Sequence, residues 1–389
     1  MLRAVSKRLL SRSLAPSFVW WLGGPAFNQP PRLPSSTQSN PDFVSTIKDV
    51  AALAGVSFTT VSHVLNDTRP VSADARRRVL AAVEQIGYLP SAVARSLRKS
   101  ETKIIGVLVP NVRNPFFAEL VCGVEECCRL AGFSVFLCNS DNDPKRQQQY
   151  MRTLLEKRVD GLLLSSAGDD EALARIFKLA SVPSVTVDRL VPGVSADRVS
   201  VHNQQGAYTA VLHLLELGHR RIACISGPAE FEVARERIEG WRRALQSYGI
   251  APDEQLIIES DFSSPGGYEA VRRLLLGQAA QALAVPAAPP VTAVFASNDV
   301  MAVGALRAAA ELGVRVPQQL SVVGFDDIEL SRYVFPALTT VGCSIQQLGI
   351  EAGKVLIERI ENPGAPIKEV LLTPRLVVRE SSAPPQASN

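Results

Sequence analysis

From Lys103 onward the chain alternates short apolar runs with longer amphipathic ones. The runs IIGVLVP, SVFLCNS, GLLLSS, SVTVDR, IACISG, LIIESD, AVFASND, SVVGFDD and LLTPRLVVR are rich in Val, Ile and Leu and read as strands. Between them, FFAELVCGVEECCRLAG, KRQQQYMRTLLEKR and DVMAVGALRAAAELG carry apolar residues at helical spacing. Strands that are apolar on both faces, alternating with helices, predict parallel sheets covered on both sides. The strands are too many for one sheet, so the pattern predicts two doubly wound subdomains. AAQALAVPAAPP (Ala279–Pro290) reads as a flexible insertion, and PPQASN as part of a disordered tail.

The stretch before Lys103 has a different period. Thr46 is a candidate N-cap for a helix whose Ile47, Val50, Ala51 and Ala54 share one face. Gly55 then suits a tight turn. In the next helix Thr59, Ser62, His63 and Asn66 stand at i, i+3, i+4 and i+7, and Val61, Val64 and Leu65 lie on another face. Ser72 opens a third helix with Val79, Ala82, Val83 and Ile86 inward and Gly87 past its end. Two short amphipathic helices around a glycine turn fit a helix-turn-helix whose second helix carries small polar side chains to base edges; they also fit a plain helical hairpin facing water. Tyr88–Ser100 follows, with Pro90 at a first helical turn and Ala92, Val93, Ala94 and Leu97 behind it. It is too short to be stable as an isolated helix. It reads either as a linker that folds when held or as a plain basic linker.

Charge divides along the same boundary. The chain of 389 residues carries a net +3, but residues 46–102 hold eight basic and five acidic side chains. Residues 1–41 hold Arg3, Lys7, Arg8, Arg12 and Arg32 and no acid, which leaves the body acidic. A basic front suggests a polyanionic partner there. Cys122, Cys127, Cys128, Cys138, Cys224 and Cys343 form no CxxC pair and have no His at zinc-ligand spacing. They read as reduced and mostly structural, which fits a cytoplasmic protein without metal or cofactor. No apolar run is long enough to predict a membrane span. The first 45 residues are Arg-rich, then Pro- and Ser-rich, and the FVWWL run is too short for a secretory signal. Their composition is compatible with a presequence. The abrupt onset of folding signals at Thr46 favours a true start near Val44, with residues 1–45 as a disordered extension.

In doubly wound folds ligands bind at the carboxyl ends of the strands. Asn114, Phe116 and Phe117 follow IIGVLVPNVR; Asp188 and Arg189 close SVTVDR; Asn298 and Asp299 close AVFASND; Asp326 and Asp327 close SVVGFDD. Carboxylates, amides and Arg can satisfy hydroxyls, and aromatic rings can cover a sugar's apolar face. Asp and Asn are also favoured as helix caps, and for Asp299 and Asp327 that is the expectation. There is no GxGxxG after a strand, no P-loop, no nucleophile elbow and no His–Cys pair at catalytic spacing, so no enzyme is predicted.

The stretches TIKDVAALAGVSFTTVSHVLN, GYLPSAVARSL, RVDGLLL and SVVGFDDIELSRY…PALTTV resemble the lactose-repressor (LacI/GalR) family of bacterial transcription regulators, from about Thr46 to Arg379. Within it, NPFF, VDR, ARERIEGW, FASNDVMAVGAL and VVGFD are most similar to ribose repressors and periplasmic ribose-binding proteins. The resemblance implies a homodimer on a pseudo-palindromic operator, a cytoplasmic and nucleoid-associated location, and a monosaccharide such as ribose as effector. It implies base reading by Phe58, Thr59 and His63 and backbone contacts from Ser57, Thr60, Ser62 and Asn66. It implies a hinge helix with Ala94, Arg95 and Leu97 in the minor groove, Leu97 wedging between base steps. The effector positions carried over are Asn114, Phe116, Phe117, Ser165, Asp188, Arg189, Arg237, Phe262, Asn298, Asp326 and Cys343. Ser165 and Cys343 depart from the ribose pattern, where Asn and Gln stand. The implied domains are 46–89 for DNA binding, 90–102 for the hinge, and 103–380 for an effector and dimerisation core like the periplasmic binding proteins. Within the core, one subdomain is expected at about 103–203 and 344–364, the other at about 204–343 and 365–380, with a disordered tail at 381–389. A periplasmic sugar-binding protein is the rival reading, for which the helix-turn-helix would be useless.

Overall fold

A computed structural model describes residues 45–89, 101–168, 170–179, 182–189, 191, 193–281 and 290–386. The N-terminal extension and the hinge, with Ala94, Arg95 and Leu97, lie outside the described residues, as does most of the 279–290 insertion. The chain divides into two compact units at residues 90 and 91.

The first unit is three helices, α1 (Ile47–Ala54), α2 (Phe58–Asn66) and α3 (Ala73–Ile86). Thr46 and Asp49 form a reciprocal cap on α1: Thr46 N donates to the Asp49 carboxylate at 2.7 Å, and Asp49 N donates to Thr46 Oγ1 at 3.4 Å. Gly55 ends α1 at φ 63°, a left-handed turn a side chain would strain. Ser57 and Ser72 cap α2 and α3 through the backbone N–H groups of Thr60 and Ala75. Val50, Ala51, Ala54, Val61, Val64, Val79 and Ala82 close a core of their own.

The second unit has two six-stranded sheets. The first sheet holds β1 (Ile104–Val109), β2 (Ser134–Asn139), β3 (Gly161–Leu164), β4 (Ser184–Val187) and β5 (Asp197–Val201), and its strands are parallel. Its covering helices include α4 (Pro115–Leu130), α5 (Pro144–Glu156) and α6 (Asp170–Leu179). The second sheet holds β6 (Ile222–Ser226), β7 (Ile257–Glu259), β8 (Ala293–Ala296), β9 (Ser321–Asp326) and β10 (Thr339–Gly342). With it pack α7 (Asn203–Glu216), α8 (Glu232–Ser247), α9 (Ser264–Gln281) and α10 (Asp299–Glu311). The last helix, α11 (Ile345–Glu361), returns to the first sheet and lies on α4. Gly123 and Gly349 permit that approach: a Cβ on either would stand 2.1 Å from a backbone oxygen of the facing helix. The strands β11 (Glu369–Leu372) and β12 (Arg375–Val377) then close one sheet each. The chain thus passes between the sheets near residues 202, 343 and 373.

Several local expectations change. LLTPRLVVR is two strands, not one, because Pro374 interrupts the ladder; β11 joins the first sheet beside β5, whereas the expected boundary puts 365–380 in the second subdomain. DRVSV and TTVG, with polar residues inside them, are strands that the apolar-run pattern passes over. Helix α9 extends to Gln281, into the expected insertion. The tail is not loose at its start. Ser381 is fully buried, its carbonyl accepts Val322 N at 2.8 Å, and its Oγ accepts Thr339 N at 2.8 Å. Beyond it, the Ala383 carbonyl meets His219 Nε2 at 2.9 Å. A short polar segment is ordered here because its backbone satisfies donors at the margin of the second sheet. Removing residues 381–389 leaves the Val322 and Thr339 N–H groups unpaired. Stability is expected to fall by roughly 3 kcal/mol, measured by chemical denaturation of the full chain and the truncation; a disordered tail would leave it unchanged.

Candidate functional site

In the first unit, α2 presents Phe58, 57% exposed, and Thr59 to solvent, with His63 half-buried. His63 Nδ1 lies 2.8 Å from Thr68 Oγ1. Ser62, expected on the polar face, is 6% exposed and receives the Asn66 amide on its carbonyl at 2.8 Å and its Oγ at 3.3 Å. The polar arc is wider than the solvent face, because α2 packs along Val61 and Val64 and carries Ser62 inward with them. Arg76 pairs with Asp67, and Arg77 and Arg78 with Asp74, all well exposed and so contributing little to stability.

In the second unit the strand ends converge. Asn114, Phe116, Phe117, Asp188, Arg189, Arg237, Phe262, Asn298 and Asp326 line one small cavity of about 20 Å³. Asn114 caps α4 through Phe116 N, and Phe116 and Phe117 meet edge to face with centroids 5.1 Å apart. Asn298 caps α10 through Met301 N at 2.9 Å and donates to the Phe262 carbonyl at 3.2 Å. The capping explanation for the two amides is therefore correct, and they line the cavity as well. Asp188, Phe262 and Asp326 hold φ of 60°, 62° and 115°, a left-handed backbone that non-glycine residues adopt at a cost. Gly227 makes room for the Phe262 ring, which would stand 2.0 Å from a Cβ there.

Arg237 of α8 organises the charges. Its Nη2 lies 3.9 Å from Asp188 and 3.7 Å from Asp326, its Nε donates to Asn203 Oδ1 at 2.9 Å, and its Cζ lies 4.0 Å from the Phe325 ring centre. Burial pushes the carboxyl of Asp188 up, and that of Asp326 well up, against the pull of Arg237. Arg189 projects into a box of three rings, 5.6, 4.4 and 5.1 Å from the centres of Phe117, Phe231 and Phe262. Burial lowers its pKa to about 10, so it stays cationic at neutral pH. Arg198 to Glu232 at 3.4 Å, and Glu329 N–H to Glu119 Oε1 at 3.1 Å, also join the two subdomains.

A larger cleft of about 660 Å³ shares Asn114, Phe117, Arg189 and Phe262, and adds Asn111, Arg113, Asp141, Glu230, Phe231 and Asp261. The residue pattern does not single out Phe231 or Asn203; the one signal for Phe231 is an aromatic just ahead of the amphipathic VARERIEGW run. Ser165 and Cys343 do not line the small cavity. Ser165 Oγ is buried with no partner among the described residues, and burial raises the Cys343 thiol to about 11. Asp327 binds Arg379, and Asp299 accepts Thr340 Oγ1 and Ile328 N; both carboxylates hold structural partners, but neither is the helix cap expected of it, since Asn298 caps α10.

Residues 46–91 match the model for bacterial regulatory proteins of the lacI family, and residues 211–382 match that of a periplasmic binding protein-like domain. An HTH-type transcriptional repressor PurR of Haemophilus influenzae is 40% identical over 87% of this chain and 98% of its own length. A ribose operon repressor of the same species is 41% identical over the same shares. The chain belongs to the lacI family. Its helix-turn-helix followed by two mostly parallel sheets has the lacI-family architecture: a lac repressor dimer bound to operator and the anti-inducer ONPF aligns with TM-score 0.76 and 30% identity, over 87% of this chain and 99% of that one. As a lacI-family member it is a DNA-binding transcriptional repressor with a ligand-binding domain. Among the described residues, no helix is long and apolar enough to cross a membrane.

Two outcomes test this core. Replacing Arg237 by Met takes from two buried carboxyls the cation they share and is expected to cost roughly 3 kcal/mol in denaturant unfolding, with part recovered by adding Asp326→Asn. Asp299 has a folded-state pKa of about 7, raised first by burial, against an ordinary 3.8. The folded protein therefore holds a proton that the unfolded chain releases between those values, and this contribution to stability grows as pH falls from above 7 toward 4. Asp299→Asn can keep both hydrogen bonds and should lose that rise. Melting temperatures of the two proteins at a series of pH values will show it.

Proposed function

We propose that the chain represses transcription as a homodimer on a pseudo-palindromic operator, and that a small polyhydroxylated effector, in the first instance D-ribose, controls its affinity. The carrying observation is the Arg237 bridge: one guanidinium between carboxylates of the two subdomains, beside aromatic rings. Carboxylates and guanidinium together satisfy vicinal hydroxyls, and the rings take the apolar face of the sugar. The ribose operon repressor at 41% identity supports a pentose. Asn114, Phe116, Phe117, Asp188, Arg189, Arg237, Phe262, Asn298 and Asp326 are the proposed effector residues. Ser165 and Cys343, carried over with them, line neither the small cavity nor the larger cleft.

The inner cavity holds about one water, so a sugar enters only as the subdomains part or as Arg189 leaves its ring box. That coupling makes the effector a selector of the angle between subdomains. The angle acts through the hinge, with Ala94, Arg95 and Leu97 in the minor groove, on the paired recognition helices, whose Phe58, Thr59 and His63 read bases while Ser57, Thr60 and Asn66 touch the backbone. By linkage, the factor by which ribose changes operator affinity equals the factor by which operator changes ribose affinity.

Calorimetric titration of D-ribose into the full chain is expected to show micromolar binding. An absence of heat would remove ribose and turn the search to other sugars and nucleosides. Because burial raises both aspartates, ribose affinity should weaken as pH falls and Asp326, then Asp188, take up protons; the same titration repeated at lower pH measures this. Loss of sequence-specific, salt-dependent DNA binding would overturn the regulator reading itself.

A further inference from the structure

The recognition helix carries one side chain that its own fold does not use. Phe58 opens α2 with 57% of its surface in water, and it is absent from the core formed by Val50, Val61, Val64 and Val79. As exposed here as in an unfolded chain, the ring adds little to folding and keeps its apolar area for a partner to bury. Its neighbours on the helix are already committed. Ser57 caps through its hydroxyl, Ser62 is buried, and the Asn66 amide is spent on Ser62. His63 has Nδ1 beside Thr68 Oγ1, so Nε2 is the nitrogen turned to other partners. The outward face of α2 therefore offers a phenyl ring, the Thr59 side chain and one imidazole nitrogen. It holds no Arg, Lys or Gln, and its one Asn is occupied, so it lacks the two-pronged purine readers.

The major groove has one apolar projection, the C5 methyl of thymine, and the first residues of a recognition helix are those that meet base edges. We propose that Phe58 reads thymine: its ring packs on the C5 methyl of one thymine in each operator half-site and supplies the principal base discrimination made by the start of α2. Thr59 and His63 Nε2 add polar contacts beside it. This rests on the DNA-binding reading above and specifies its chemistry.

Uracil differs from thymine by that methyl alone, which makes the test atom-specific and independent of protein folding. The full chain and its Phe58→Ala variant are each used to select sites from a randomised duplex library. Every thymine of the enriched half-site is then replaced singly by uracil. One thymine per half-site is expected to matter for the unaltered chain, with affinity falling about fourfold for one half-site and about fifteenfold for both. The Phe58→Ala variant is expected to bind the thymine and uracil sites equally. Uracil that is neutral at every position, a penalty that persists in Phe58→Ala, or enriched half-sites without thymine would each overturn the proposal. Failure of the full chain to enrich any sequence would instead overturn the regulator reading on which it rests.

Discussion

A single buried guanidinium ties the effector-binding body together. Arg237 stands on a helix of the second sheet and reaches carboxylates that end strands of both sheets. Remove it, and two buried carboxyls lose the cation that faces them both, leaving Asp188 only the fields of Arg189 and Arg198. With it in place, the innermost cavity among the strand ends is about 20 Å³. Much of the nearby geometry serves this arrangement: Asn203 fixes the guanidinium plane, Phe325 backs it, and the left-handed backbone at Asp188 and Asp326 aims both acids at it. Such strain is retained where function requires a placement that ordinary backbone cannot supply.

The architecture was legible in the sequence because parallel sheets bury both faces and so appear as continuous apolar runs. It was least legible where that rule weakens. Strand β5 reads DRVSV because Asp197 is clamped by Arg359 at 2.7 Å and so is buried without being apolar. Strand β10 begins with threonines for a similar reason: Thr340 Oγ1 bonds Asp299. The tail at Ser381 looked disordered because composition cannot reveal which open sheet margin a polar segment will pair with. Pattern detects apolar burial; it is blind to burial achieved by hydrogen bonding.

The candidate site shows the same division. Asp188, Arg189, Asn298 and Asp326 could be read from their position at strand ends, where doubly wound folds place ligands. Arg237 and Phe262 came only through resemblance, since an Arg within an amphipathic helix and a Phe in a loop carry no local signal. In the helix-turn-helix, spacing alone put Ser62 on the water face, and packing along Val61 and Val64 took it inside. Side-chain spacing defines an arc, and only the contact surface decides how much of the arc is wet.

The three passages of chain near residues 202, 343 and 373 have a mechanical meaning. Two bodies joined by one strand of peptide can tumble freely; joined by three short, neighbouring ones, they lose nearly every relative freedom except a swing or twist about the line of the joints. The two halves of the cleft are then always at close quarters, so a ligand need only choose among a narrow family of angles and never bring the halves together. The fold has thereby already removed most of the alternatives among which a ligand of the cleft could choose.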